Sequence, residues 1–261
     1  MVKLAVLGAT GRMGTRVLAL AAESQRFEVV AALTCRDDER LGDSIAVGRR
    51  RLPVADTTDA AFDVLIDFSV PAGTMSWLNH CRNAKSAMVI GPTGYDEEQL
   101  ERIASAATEI PIVQAANFSI GINTLLGLVG ELARKLGDAY DIEIIEHHHN
   151  RKVDAPSGTA SALCDAIVES TGRERDADVI YGRRGQTGAR PRRQIGVHAV
   201  RMGDVVGRHE IHFSGPGETI TLSHTAHSRD TFAQGALEAA AWIAAKPAGL
   251  YSMGDVLAAS S

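Results

Sequence analysis

From its second residue the chain sets short apolar runs between stretches whose apolar positions recur every three or four residues. Residues 3–7 form an apolar run that ends in Gly8-Ala9-Thr10-Gly11-Arg12-Met13-Gly14, and residues 15–23 then carry the period of a helix. Further strands are predicted over 28–33, 64–68, 87–91 and 111–115, with helices over 74–83 and 97–107 between them. Strands that alternate with helical patterns predict βαβ units and a parallel sheet. After the turn at 117–121 a long amphipathic helix is predicted over 123–136.

The pattern changes near residue 140. Residues 141–146, 195–201, 206–214 and 218–224 alternate polar with apolar positions, as strands with one wet face do. A helical run over 160–170 separates the first of these from the rest, and an alanine-rich helix over 231–245 with the segment 251–257 is expected to pack back on the first sheet. The expected fold is therefore α/β: a Rossmann-like parallel-sheet nucleotide domain plus a second α+β domain with a mainly antiparallel or mixed open sheet. The domains are expected at 1–118 with 229–261, a discontinuous dinucleotide-binding domain, and at 119–228, a substrate-binding domain.

Composition narrows the classes without choosing among enzymes. The 261 residues are 45% hydrophobic and 23% charged, ordinary for a globular chain, and the net charge of -5 offers no broad basic field for nucleic acid. Cys35, Cys81 and Cys164 include no C-x-x-C pair, which argues against a disulfide framework or a thiolate zinc site and for a reducing compartment. The opening apolar run is too short for a signal peptide, and no run approaches the ~18 apolar residues of a membrane span, so a cytoplasmic protein without membrane contact is expected. Five of the eleven residues at 183–193 are arginine, a run read as a solvated surface loop.

Gly8, Gly11 and Gly14 fall in a strand-to-helix turn, where missing side chains let a pyrophosphate reach the helix N–H groups. The spacing is G-x-x-G-x-x-G, with Thr10 at the second glycine of the commonest fingerprint, and the structural alternative is a plain tight turn. The turns Gly91-Pro92-Thr93-Gly94 and Ala115-Ala116-Asn117-Phe118 also follow predicted strands, so a parallel sheet brings them to the same edge to frame a nicotinamide. Cofactor choice belongs to Thr34-Cys35-Arg36-Asp37-Asp38. No acid ends the strand and Arg36 suits a 2′-phosphate, which favours NADPH over NADH; the alternative keeps Arg36 solvated and gives Asp37 or Asp38 to the NAD ribose.

The segment Glu146-His147-His148-His149-Asn150-Arg151-Lys152-Val153-Asp154-Ala155-Pro156-Ser157-Gly158-Thr159-Ala160 concentrates proton donors that work near neutral pH, as reduction of an imine-like substrate requires. Ser157-Gly158-Thr159 opens a helix, so its N–H groups and a capping hydroxyl suit a carboxylate, with Lys152 as opposing charge; the alternative is a helix cap beside a wet loop. A metal site fits poorly, because successive residues of a strand face opposite ways and the three histidines cannot converge.

Together, G-A-T-G-R-M-G, A-A-N-F-S-I-G and E-H-H-H-N-R-K-V-D-A-P-S-G-T-A resemble the signature set of the 4-hydroxy-tetrahydrodipicolinate reductases, with further similarity at 185–188, 201–204 and 228–232. The resemblance implies hydride transfer from NAD(P)H to a cyclic dicarboxylate in the diaminopimelate route to lysine, with His148 as proton donor and acceptor and Lys152 as its proton-donating partner. It also implies His149 as a substrate contact and Gly158 with Thr159 as the carboxylate cradle. The nucleotide contacts it implies are Gly8, Ala9, Thr10, Gly11, Arg12, Met13, Thr34, Arg36, Gly91, Pro92, Thr93, Ala115, Ala116, Asn117 and Phe118, and no metal is implied. The assembly it implies is a homotetramer, which adds oligomerisation to the substrate-binding domain at 119–228. Thr34 departs from an acid that many members carry, and Pro92 from a threonine, which leaves the nucleotide preference open. The rival readings are a reductase of another imine or amino acid, a nucleotide sensor without catalysis and, more distantly, a zinc hydrolase.

Overall fold

The structure, a computed structural model, describes residues 1–258; residues 259–261, the end of the expected nucleotide domain, lie outside the described residues. In chain order the elements are β1 (Val2–Leu7), α1 (Arg12–Glu23), β2 (Phe27–Leu33), β3 (Ser44–Val47), β4 (Arg50–Ala55), β5 (Val64–Asp67), α2 (Pro71–Ala84), β6 (Ala87–Ile90), α3 (Glu97–Ala107) and β7 (Pro111–Gln114). They continue as α4 (Ile120–Leu136), β8 (Asp141–His148), α5 (Gly158–Thr171), α6 (Arg175–Asp178), β9 (Val179–Tyr181), β10 (Ile195–Arg201), β11 (Gly207–Gly215), β12 (Glu218–Ala226), α7 (Asp230–Ile243), β13 (Gly249–Tyr251) and α8 (Met253–Ala258). The chain divides into two compact units, Met1–Ile120 with the segment from Arg229 onward, and Gly121–Ser228.

The first unit holds a sheet of order β13-β7-β6-β5-β1-β2-β4-β3, parallel throughout except for the β3–β4 edge hairpin. Because both faces are covered, its central strands are unbroken apolar runs: every residue of β5 and β6 is buried. Alternate residues serve different faces. Leu4, Val6, Val64 and Ile66 pack with Val17 and Leu18 of α1 and Ala236 and Ala240 of α7, while Ala5, Leu7, Leu65 and Met88 pack with Leu78 of α2 and Ile103 of α3. The chain runs to one side of β1 through β2 and to the other through β5. That reversal opens a crevice beyond the strand ends, which is where ligands of open α/β sheets bind.

Two features of this unit depart from the expected elements. The hairpin at 44–55 carries arginine and proline and gave no clean strand pattern, and the segment expected as one piece over 251–257 splits into β13, which extends the sheet beside β7, and α8.

The second unit holds a sheet of order β12-β11-β8-β10-β9. It is mixed rather than mainly antiparallel: β11 runs against β8 and β12, whereas β10 runs with β8 and β9. The parallel half follows from α5, which carries the chain back after β8 so that later strands start at the same end. Leu125 and Val129 of α4 and Leu163 and Ile167 of α5 cover one sheet face, formed by Ile142, Ile144, Ile195, Val197, Ile211 and Phe213. The arginine-rich loop is exposed over 183–189 and 191–193, as a solvated run would be, but two of its arginines are tied to the sheet. Arg183 and Arg190 both bond Glu143 of β8, at 2.8 Å and 3.1 Å, and Arg190 also reaches the Ile142 carbonyl at 3.0 Å. Burial alone would raise the Glu143 pKa, but the Arg183, His198 and Arg190 hydrogen bonds outweigh it and hold the group down at about 2.

Candidate active site

In the first unit the glycine turn is built on close approach. Gly8 sits at φ +78°, and a Cβ on Gly14 would stand 2.1 Å from the Gly8 carbonyl oxygen, so α1 starts against the turn with no room for a side chain. The turn is tied by Gly11 N–H to Gly8 O at 3.0 Å and Ala9 N–H to Leu33 O at 2.9 Å. Neither α1 nor α2 has a side-chain N-cap; in α2 Pro71 has no N–H and the Gly73 and Thr74 N–H groups donate to the Val70 carbonyl, so it is the first turn of α1 that keeps N–H groups for an anion.

A cavity of about 610 Å³ lies there, lined by Gly8, Thr10, Gly11, Thr34, Arg36 and Asp38 on one side and by Phe68, Ser69, Gly73 and Trp77 on the other. Thr10 and Thr34 both donate to one oxygen of Asp38, Thr10 at 2.5 Å, and the Arg40 N–H donates to the other at 2.8 Å. The two hydroxyls, Thr10 first, hold the Asp38 pKa below its ordinary value. Arg36 donates from Nε to Asp56 at 3.0 Å, and its side chain is 85% exposed. Thus Gly8, Thr10, Gly11, Thr34 and Arg36 come together as expected sites, and Asp38 joins them from four residues past Thr34.

The other expected nucleotide residues fall outside this cavity's lining. Ala9 and Phe118 are buried, Met13 packs on the core, and Arg12 is exposed. Gly91, Pro92 and Thr93 follow β6, and Ala115, Ala116 and Asn117 follow β7, at the same carboxyl edge as the glycine turn. One link reaches them: Phe68, in the cavity wall, meets the Phe118 ring edge-to-face at 5.7 Å. Sequence reading missed Asp67, which is wholly buried at the end of β5 and accepts from the Ser69 N–H at 2.8 Å and the Thr74 hydroxyl at 2.5 Å, fixing the Phe68–Ser69 peptide. Burial pushes its pKa up against those bonds.

In the second unit β8 turns Ile142, Ile144, Glu146 and His148 to the buried face, so His147 points the other way, 3.8 Å from Glu210. Glu146 is 0% exposed and its two oxygens take four donors. Oε2 accepts from Nδ1 of His148 at 2.6 Å and Nη1 of Arg201 at 2.8 Å, and Oε1 accepts from Nη2 of Arg201 at 2.8 Å and the Ser157 N–H at 3.0 Å. Burial raises the Glu146 pKa, but these bonds, His148's first, overturn that and set it at about 2, so the group is a carboxylate.

Ser157 is the N-cap of α5, accepting the Ala160 N–H at 3.2 Å on its hydroxyl, which lies 3.1 Å from Nε2 of His209. The His209 ring meets His148 edge-to-face at 5.2 Å, and burial pushes its pKa down to about 3. Gly158 and Thr159 open α5, and nothing lies within 4 Å of where a Gly158 Cβ would stand. Lys152 holds Asp154 at 2.9 Å, and the His149 carbonyl accepts the Lys152 N–H at 3.1 Å. Hence His148, Ser157 and the start of α5 form one network, with His149 and Lys152 on the loop between them. Glu146, Arg201 and His209 were not expected in it. For Glu146 a signal existed: it occupies a core-facing position of an alternating strand, where an unpaired carboxylate cannot stay.

The family models described as Dihydrodipicolinate reductase, N-terminus, and Dihydrodipicolinate reductase, C-terminus, match residues 2–118 and 121–257. A 4-hydroxy-tetrahydrodipicolinate reductase of Alkalilimnicola ehrlichii is 45% identical over 98% of this chain and 98% of its own length. A dipicolinate-bound dihydrodipicolinate reductase from Paenisporosarcina sp. TG-14 superposes with a TM-score of 0.77 at 25% identity, covering 97% of each chain. A probable dehydrogenase from Thermotoga maritima shares the fold at TM-score 0.59 and 14% identity, over 98% of this chain and 93% of its own. With both family models spanning nearly all of it, the chain belongs to the dihydrodipicolinate reductase family.

Proposed function

We propose that the chain reduces 4-hydroxy-tetrahydrodipicolinate to tetrahydrodipicolinate with NAD(P)H and one proton, releasing water, in the diaminopimelate route to lysine. The observation that carries this reading is His148, whose Nδ1 is held at 2.6 Å by a buried carboxylate while its other nitrogen remains for substrate, on the strand that leads to the start of α5. In the family's substrate the groups to be met are two carboxylates and an imine. The N–H groups of Gly158 and Thr159 and the charge of Lys152 answer the first, and a protonated imidazole answers the second. His148 gives and recovers a proton at Nε2, Lys152 donates a second, and His149 contacts the substrate. The relative solved with dipicolinate, itself a cyclic dicarboxylate, supports the same substrate class.

The nucleotide, when bound, supplies the hydride. The residues of the first unit suit it: the glycine turn leaves no side chain over the N-terminus of α1, and the cavity beside it has polar hydroxyls at one end and aromatic rings along a wall. Gly8, Thr10 and Gly11 take the pyrophosphate, the turns after β6 and β7 take the nicotinamide end, and Arg36 takes the 2′-phosphate of NADPH in preference to NADH. Asp38 already accepts three hydrogen bonds, which weakens its claim on a ribose hydroxyl. A homotetramer formed through the second unit's sheet completes the proposal, and light scattering on the purified protein gives its mass directly.

The activity test follows NADPH and NADH oxidation at the nicotinamide absorbance, with substrate made in situ from pyruvate and aspartate semialdehyde by a synthase. Oxidation is expected only when the synthase is present. Protein that binds NADPH but oxidises it under no such condition would sink the reading.

A further inference from the structure

Glu146 is the most constrained polar group in the second unit. It has no exposure, and it lies within β8, two residues before His148 and clear of the loop that carries Lys152. We propose that Glu146 is the positioning residue of the reaction, a buried carboxylate that fixes the tautomer and plane of the His148 ring and, through the Ser157 N–H, the start of α5. The proposal rests on the reading of His148 as proton donor.

The geometry leaves the carboxylate no other arrangement. A carboxylate only accepts, so at 2.6 Å Nδ1 must be the protonated nitrogen of a neutral ring, and Nε2 is the nitrogen that exchanges a proton with substrate. Each oxygen takes two donors, and Arg201 bridges both with its fork, so the carboxylate cannot rotate away from the ring. The space at Nε2 is guarded by an absence: a Cβ on Gly207 would stand 3.1 Å from that atom. His209 does not compete for the proton, since its Nε2 faces the Ser157 hydroxyl at 3.1 Å. Burial holds the His209 pKa down at about 3, so that ring is neutral beside His148, and Glu146, held at about 2, is ionised across the working range.

A glutamine at 146 keeps the shape but places an NH2 against donors whichever way it lies, facing either Arg201 with His148 or Arg201 with Ser157. The expected result for Glu146→Gln is a kcat lowered on the order of 10- to 100-fold, as for groups that orient a reacting histidine, with the Kd for NADPH unchanged. In the His148→Gln background the same change should cost less than about threefold, because a residue that acts through another has nothing left to orient. An equal loss in both backgrounds would mean a merely structural role and overturn the proposal.

The wild-type protein supplies a second reading that needs no variant to fold. The nitrogen-15 spectrum of His148, assigned by its disappearance in His148→Gln, should show the Nδ1–H tautomer once the ring is neutral. An Nε2–H tautomer would overturn the proposal outright. If instead His148→Gln retains full turnover, the assignment of the proton donor fails, while the tautomer still decides whether Glu146 sets the ring.

Discussion

Arg36 stands almost wholly in solvent with its Nε on Asp56 at 3.0 Å, and among the described residues its two terminal nitrogens have no partner. An exposed arginine of this kind contributes little to folding, and its replacement isolates its role in binding. Arg36→Ala is expected to raise KM for NADPH on the order of tenfold, the equivalent of one charge-assisted hydrogen bond, and to leave KM for NADH within about twofold. Steady-state kinetics with both nucleotides measure this; equal changes for the two would return the 2′-phosphate role to another group. His148 is a different case, because its bond to Glu146 is buried and the ring is part of the reacting set. His148→Gln is expected to lower kcat by about 10²–10⁴ while KM moves little, the mark of an interaction made in the transition state.

At the level of elements, α5 joins folding to chemistry. Its N-cap hydroxyl on Ser157 satisfies Ala160 N–H, and Gly158, which begins the helix ahead of Thr159, faces open space. Ser157→Ala is expected to lower stability by about 1 kcal/mol for the lost cap, read in urea, whereas Thr159→Val is expected to raise KM for the dicarboxylate with kcat nearly kept. The reverse pattern would place the cradle elsewhere. This helix was legible in sequence because its signals are local: a serine cap, a proline before it and an apolar period after it. So were the glycine turn and the histidine segment, each confined to one strand end. Arg201 and His209 were not, because their roles come from pairing across the sheet, where β10 sets Ala199 beside Glu146 and β11 sets His209 opposite it. No spacing along the chain encodes that register. The sequence does not separate Asp38 from Asp37 for a related reason: four residues of irregular chain return it to Thr10 and Thr34, and only the fold shows which of the acids after β2 comes back. Asp67 read as the last residue of an apolar strand, and its hydrogen bonds to Ser69 and Thr74 depend on how α2 begins.

Across the whole molecule, two units with separate cores each bury a titratable group, and the two groups respond to acid in opposite senses. In the second unit His209 is held neutral down to about 3, while an unfolded histidine takes a proton near 6.5. Between those values the unfolded state binds more protons, so stability falls as the pH is lowered, by at most about 1.4 kcal/mol per pH unit. Glu146 and Glu143, both held at about 2, add to the loss once the pH falls into the usual carboxylate range, where the unfolded carboxylates take protons and these two do not, and go on adding to it down to about 2. In the first unit Asp67 works the other way: its pKa is raised by burial, so just above the unfolded carboxylate value the folded state binds the proton first and acid is stabilising. Calorimetry from pH 7.5 to 4.5 is expected to show the transition of the second unit falling from about pH 6.5 while that of the first holds or rises. His209→Gln should flatten the fall between about 6.5 and 4.5, and Asp67→Asn should remove the first unit's gain. A second-unit transition that drops with the same slope in His209→Gln would show that the ring is not what acid attacks first, and that the loss comes from the carboxylates paired with arginine.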